Sequence, residues 1–232
     1  MTKVQRHTIS NGRCIAAMQL SFAGLFVGLG WAPLDRGTWL MENALVGLGA
    51  LAVWAARRRF YWSTRSWAMV LVFLCAHEVG THFTYPQVPW ARWLEHLTGV
   101  DLPTLLGWRR NPYDRLVHLC YGLCFALPLR EIITAATRTR GAWASLISWS
   151  FILSTSLLYE LMEWIGGSLM GARGAAFVGA QNDFWDAQKD MAWATGGSLL
   201  VLVCRGHGLK RRIIAPITGA NVDQSTSRHG NI

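Results

Sequence analysis

The sequence predicts an all-α, polytopic membrane protein of about six transmembrane helices, with a short interfacial helix in the loop after the third. Two observations carry this. Hydrophobic residues make up 52% of the chain and charged residues only 15%, where a soluble domain carries about a quarter of its residues as charge. The charges also fall in short runs between long apolar stretches, six of which can each cross about 30 Å of hydrocarbon.

The first stretch runs about 14–32 and the second about 39–56, joined by a turn from Pro33 to Gly37. The first follows Lys3, Arg6 and Arg13, as a secretory signal would. Gly30-Trp31-Ala32-Pro33 offers no small-x-small cleavage site, so an uncleaved helix is expected. The third stretch covers about 66–83, and a long loop follows to about 112. Within that loop Trp90, Trp93, Leu94 and Leu97 recur at helical spacing, which predicts an amphipathic helix lying in the interface. The fourth, fifth and sixth stretches cover about 113–130, 142–165 and 184–204. Between the last two, glycines at 166, 167, 171, 174 and 179 read as a flexible re-entrant or surface connection. The division expected is a cytoplasmic N-terminus over 1–13, a membrane domain over 14–204, and a basic cytoplasmic tail over 205–232, disordered from about 216.

The net charge of +9 does not point to nucleic acid, whose partners carry their basic residues along a groove of a soluble surface. Here fifteen of the 22 Lys and Arg residues fall on one side of the six stretches, in the N-terminus, the second and fourth connections and the tail. The positive-inside rule then places both termini in the cytoplasm of a bacterial inner membrane. The expected partner is the lipid bilayer, with no nucleic acid. The five cysteines lie in or beside apolar segments, with no CxxC pair, and read as small packing residues. The tryptophans at 90, 93, 108, 164 and 185 fit an aromatic belt.

Ionisable groups inside membrane spans are costly unless paired or hydrated, so their placement carries information. They are His77, Glu78 and His82 near the end of the third stretch; Asp114, Arg115 and His118 at the start of the fourth; Glu160 and Glu163 near the end of the fifth; and Asp183, Asp186 and Asp190 at the start of the sixth. In an up-and-down topology all four groups share one depth, in the outer leaflet. Glu78 and His82, Asp114 and His118, and Asp186 and Asp190 are four apart, and Glu160 and Glu163 three apart, so each pair shares a helix face.

Three readings compete. In the first, His82, Asp114, His118, Asp186 and Asp190 hold a divalent metal such as zinc, as helical bundles do with carboxylates and imidazoles. Glu160, Glu163, Asp183 and Arg115 then serve a hydrolysis or modification of a lipid or envelope head group. The spacing of His77-Glu78 and His82 is one residue too long for the zincin motif. In the second, the site binds or transports an ion or polar head group, with Arg109, Arg110 and Arg115 recognising anions. In the third, the charges form a structural network that fixes helix packing. His77, His96 and Glu42 read individually as structural or interfacial residues. No glycine-rich phosphate loop, Gly-x-Ser-x-Gly elbow or dinucleotide fingerprint occurs.

Four blocks resemble those of the YjdF-like bacterial inner-membrane proteins. They are His82-Phe83-Thr84-Tyr85 with Val88-Pro89; Arg110-Asn111-Pro112-Tyr113-Asp114-Arg115 with His118 and Gly122; Tyr159-Glu160 with Glu163-Trp164; and Gln181-Asn182-Asp183 with Trp185-Asp186-Ala187-Gln188 and Asp190-Met191. The resemblance implies an inner-membrane location and supplies no activity. At Asn182 this sequence departs from the Gln-Gly-Asp of the family; Asn is the substitute that best tolerates a left-handed turn. A weaker similarity links Asp114-Arg115, His118, Glu160 and Asp186 with Gly196-Gly197 to the VanZ-like membrane proteins. That similarity implies envelope or lipid-linked substrates.

Overall fold

The computed structural model describes residues 3–56, 62–171, 174 and 178–214, with side chains over 12–56, 62–171, 174 and 178–205. Among the described residues there is no strand. Six helices have 20 residues or more: α1 (Lys3–Trp31), α2 (Arg36–Ala56), α3 (Thr64–Phe83), α6 (Tyr113–Thr137), α7 (Gly141–Leu169) and α8 (Asp186–Ile214). Each coincides with one expected apolar stretch. Four of them, α1, α2, α6 and α7, are long and apolar enough to cross a membrane. Buried His77 and Glu78 and half-buried His82 of α3, and the acids that open α8, make those two helices more polar.

The connection from α3 to α6 holds a single 3-10 turn (Tyr85–Gln87) and the short helices α4 (Trp90–Thr98) and α5 (Leu102–Leu106). The spacing of the tryptophans predicts α4. Neither the 3-10 turn nor α5 is legible from periodicity, because each is shorter than two helical turns. Their boundaries come from local chemistry instead. Asp101 caps α5 by accepting from Thr104 N, and Gly99 and Gly107 close α4 and α5 in the left-handed conformation.

The bundle is built inside out relative to a soluble protein. Glu42, His77, Glu78, Asp114, His118, Glu160, Asp186 and Asp190 are buried, while Leu20, Leu48, Trp54, Leu158, Trp164 and Leu200 stand exposed on the helix flanks. That distribution is the one a lipid solvent selects, since apolar side chains gain nothing by leaving it. The helices α3, α7 and α8 pack about α6, with α1 and α2 laid against α3. Helices α6 and α8 touch backbone to backbone. Gly122 lies against Ala194 and its carbonyl, and a side chain at Gly197 would meet Leu119 O at 2.7 Å. Any larger residue there would push the two helices apart.

Two expectations need amendment. Gly166 and Gly167 belong to α7 rather than to a flexible connection, both buried. Gly167 meets Gly174 at backbone contact, a fit that a side chain on either would prevent. Residues 172–173 and 175–177 lie outside the described residues. The terminal helices also run past their expected apolar stretches, α1 beginning at Lys3 and α8 ending at Ile214. The tail expected to be disordered, from about 216, lies outside the described residues, as does the Arg57-Arg58-Arg59 run.

Candidate functional site

The site forms where α6 and α8 both begin, and Asn111 sets that common start. Its side chain donates to Pro86 O at 3.0 Å and Val88 O at 2.9 Å, and accepts from Tyr113 N at 3.0 Å. Its backbone N–H donates to Gln181 Oε1 at 2.9 Å, and Gln181 Nε2 returns a bond to Asn111 O at 3.1 Å. One residue thus ties the 3-10 turn, the N-terminus of α6 and the turn before α8. Gln181 and Asn182 have φ of 48° and 66°. Both therefore occupy the left-handed region, which Asn tolerates best among non-glycine residues.

Above the helix starts lies a rim of ion pairs. Arg110 pairs with Asp186, and stands 3.5 Å from Asp114 and 3.8 Å from Asp183. Arg115 pairs with Asp183 and stands 3.7 Å from Asp186 and 3.9 Å from Asp190. Lys189 donates to both oxygens of Asp183, at 2.9 and 2.7 Å. These bonds to Lys189, with the Trp185 N–H and Arg115, hold the Asp183 carboxyl down at about 2. The rim therefore carries three cations against two carboxylates. The N-termini of α6 and α8 add their own partial positive charge.

Beneath it lies an acidic floor. One donor atom each from Asp114, His118 and Asp190 lies within 4.8 Å of the other two, and all three residues are buried. His118 Nε2 is 3.6 Å from Asp114 Oδ1 and 3.6 Å from Glu160 Oε1. Glu160 Oε1 and Asp190 Oδ1 are buried and make no hydrogen bond. Glu163, one helical turn on, is within electrostatic reach of Asp114, Glu160 and Asp190. Such a set, with four carboxylates about one imidazole, has the composition of a divalent-cation site.

Not every expected residue joins this floor. Asp186 is spent on Arg110, and Asp183 on Arg115 and Lys189, so both belong to the rim. His82, expected among the metal ligands, turns the other way: its Nδ1 lies 2.8 Å from Leu29 O of α1, where it secures the α1–α3 contact. It lies outside the three-residue group. Conversely, Arg110 is central, and its position four residues before Asp114 is the signal that reveals it. Glu42 of α2, 3% exposed, accepts from Tyr159 Oη at 2.6 Å, and the Tyr159 ring meets His118 edge-on at 5.6 Å. His77 Nδ1 bonds Tyr85 Oη at 2.6 Å in the same polar interior. Nothing in the local sequence of α2 announces that Glu42 reaches this network, because the contact spans 117 residues.

The chain matches the family described as "Predicted membrane protein (DUF2238)" over residues 14–211. It is 31% identical over 222 residues to the inner membrane protein YjdF of Escherichia coli (strain K12), covering 94% of this chain and 100% of that one. No solved structure matches it.

Proposed function

The chain belongs to the DUF2238 family of membrane proteins, and on that footing we propose that it holds a divalent cation on Asp114, His118, Asp190 and Glu160 and acts on a lipid or envelope head group. The observation that carries this is the meeting of donor atoms from buried Asp114, His118 and Asp190 within 4.8 Å, where Asp190 Oδ1 and the neighbouring Glu160 Oε1 make no hydrogen bond. Buried carboxylates of like charge repel, and a divalent ion among them supplies the missing compensation. Zinc suits the mixed imidazole and carboxylate set. A cation held there would supply an activated water, its pKa lowered towards neutrality. Glu163, within electrostatic reach of Asp114, Glu160 and Asp190, would take its proton, and Arg110 and Arg115 would orient an anionic head group from the rim.

The topology proposed is six spans with both termini in the cytoplasm and the site facing outwards, supported by fifteen Lys and Arg residues on one side against seven on the other. Residence in a bacterial inner membrane is supported by the likeness to YjdF. The VanZ-like order of Asp114-Arg115, His118, Glu160 and Asp186 also favours an envelope substrate. The Arg110–Asp186 and Arg115–Asp183 pairs favour a second reading, in which the charges only lock α6 to α8.

Elemental mass spectrometry of detergent-purified protein decides between them. Near-stoichiometric divalent metal is expected in the wild type, and its loss in an Asp114→Ala, His118→Ala double variant. Protein purified without chelators that carries no metal and gains no thermal stability from added zinc would refute the cation site and leave the structural network.

A further inference from the structure

A groove of about 380 Å3 runs between α6 and α8 on the outer surface of the bundle. It is lined by Leu119 of α6 and by Lys189, Trp193, Gly196 and Leu200 of α8. It begins level with the site: Leu119 follows His118, and Lys189 precedes Asp190. From Lys189 to Leu200 it follows α8 for about 16 Å, roughly one leaflet of hydrocarbon.

Its two adjacent glycines do different things. Gly197 is needed for packing, since a side chain there would strike Leu119 O. A side chain on Gly196 would meet nothing within 4 Å, and no left-handed backbone calls for glycine there. In mid-helix a glycine weakens the helix relative to alanine without some compensating use. Its effect here is to keep the groove deep.

At the mouth, Arg110, Arg115 and Lys189 are set among Asp183 and Asp186, with Asp114 and Asp190 at 3.5 and 3.9 Å from the two arginines, and Lys189 is the cation that lines the groove. The Lys189 side chain is 47% exposed, against 23% for Arg115 and 13% for Arg110. Two of its three donors go to Asp183, which leaves one for a new anion. An apolar channel one leaflet long, capped by a cationic group, matches a ligand with one apolar chain and an anionic head.

We infer that this groove seats an acyl chain of an anionic glycerophospholipid, with its phosphate at Lys189 and Arg115 beside the acidic floor. This rests on the reading of the site as one that receives a lipid head group, and names the class of lipid.

The test uses full-length protein, delipidated in detergent and titrated with phosphatidylglycerol, phosphatidylcholine and a polyprenyl phosphate, with binding read by native mass spectrometry and metal content measured on the same samples. Wild type is expected to take up phosphatidylglycerol saturably, at one molecule per chain. Gly196→Leu fills the groove and should weaken that binding by about tenfold or more, a loss of one decade being about 1.4 kcal/mol. Lys189→Gln should remove the preference over phosphatidylcholine. Gly47→Leu, also in open space but on α2, should bind as wild type does. If Gly196→Leu lowers helical circular dichroism, Trp193→Ala, which removes a wall, takes its place with the same expected loss. Unsaturable uptake, preference for the polyprenyl phosphate, or wild-type binding by the groove variants would overturn the assignment. Groove-dependent binding by metal-free protein would sink the cation site and leave the groove standing; metal without groove-dependent binding would do the reverse.

Discussion

Asp186 and Asp190, one helical turn apart on α8, have different work, and paired substitutions should separate them. Asp186→Asn leaves the half-buried Arg110 without its main partner. Breaking such a pair costs about 3 kcal/mol or more, so the variant should melt several degrees below wild type. Asp190→Asn removes an oxygen that makes no hydrogen bond. It should lower metal content with little change in melting temperature. Asp183 supplies a pH dependence with a definite sign. Its carboxyl is depressed from 3.8 to about 2, so its bonds to Lys189 and Arg115 stabilise the fold above the ordinary value. That contribution falls away as pH drops through about 2. Melting temperatures measured in detergent down to this range should fall less steeply for Asp183→Asn than for wild type. An equal slope would mean the rim does not hold the fold together.

The meeting of α6 and α8 rests on glycine. Gly122 and Gly197 each face backbone of the other helix, so Gly122→Ala should cost about 1–3 kcal/mol as the helices are forced apart. Its thermal shift should exceed that of Gly196→Leu, a larger side chain in open space. A reversed order would contradict the helix contact described. The amphipathic pattern of Trp90, Trp93, Leu94 and Leu97 makes α4 readable in advance, whereas α5 depends on an Asp101 cap and a Gly107 stop around only five residues. The glycines at 166 and 167 show the opposite error. Glycine reads as a loop signal by propensity, yet in a bundle it marks where two backbones approach.

The proposed topology, drawn from fifteen Lys and Arg residues on one side, puts the loop after α3 on the outside. A periplasm-active reporter fused after residue 100 should be active, and a cytoplasm-active reporter at the same point silent. The converse would invert the site and expose it to the cytoplasm. Either way the bundle remains a multi-pass membrane protein, its polar groups inside and its leucines and tryptophans outside.

The sequence by itself determined the helices, their order and the common level of the acids and histidines. Apolar length and the alternation of direction fix these, and both are local properties of the chain. It also marked Asp114, His118, Glu160 and Asp190, because three- and four-residue spacing puts each on the face of its helix that carries other polar groups. Only the tertiary structure decided which polar groups meet. His82 and Asp186 have the same residue types and spacing as true members of the floor. One turns to Leu29 O and the other to Arg110. Glu42, which no motif singles out, reaches Tyr159 across the bundle. Helix rotation and approach set those pairings. Both depend on glycine contacts and on the Asn111–Gln181 bonds between segments 70 residues apart, a distance no local pattern spans.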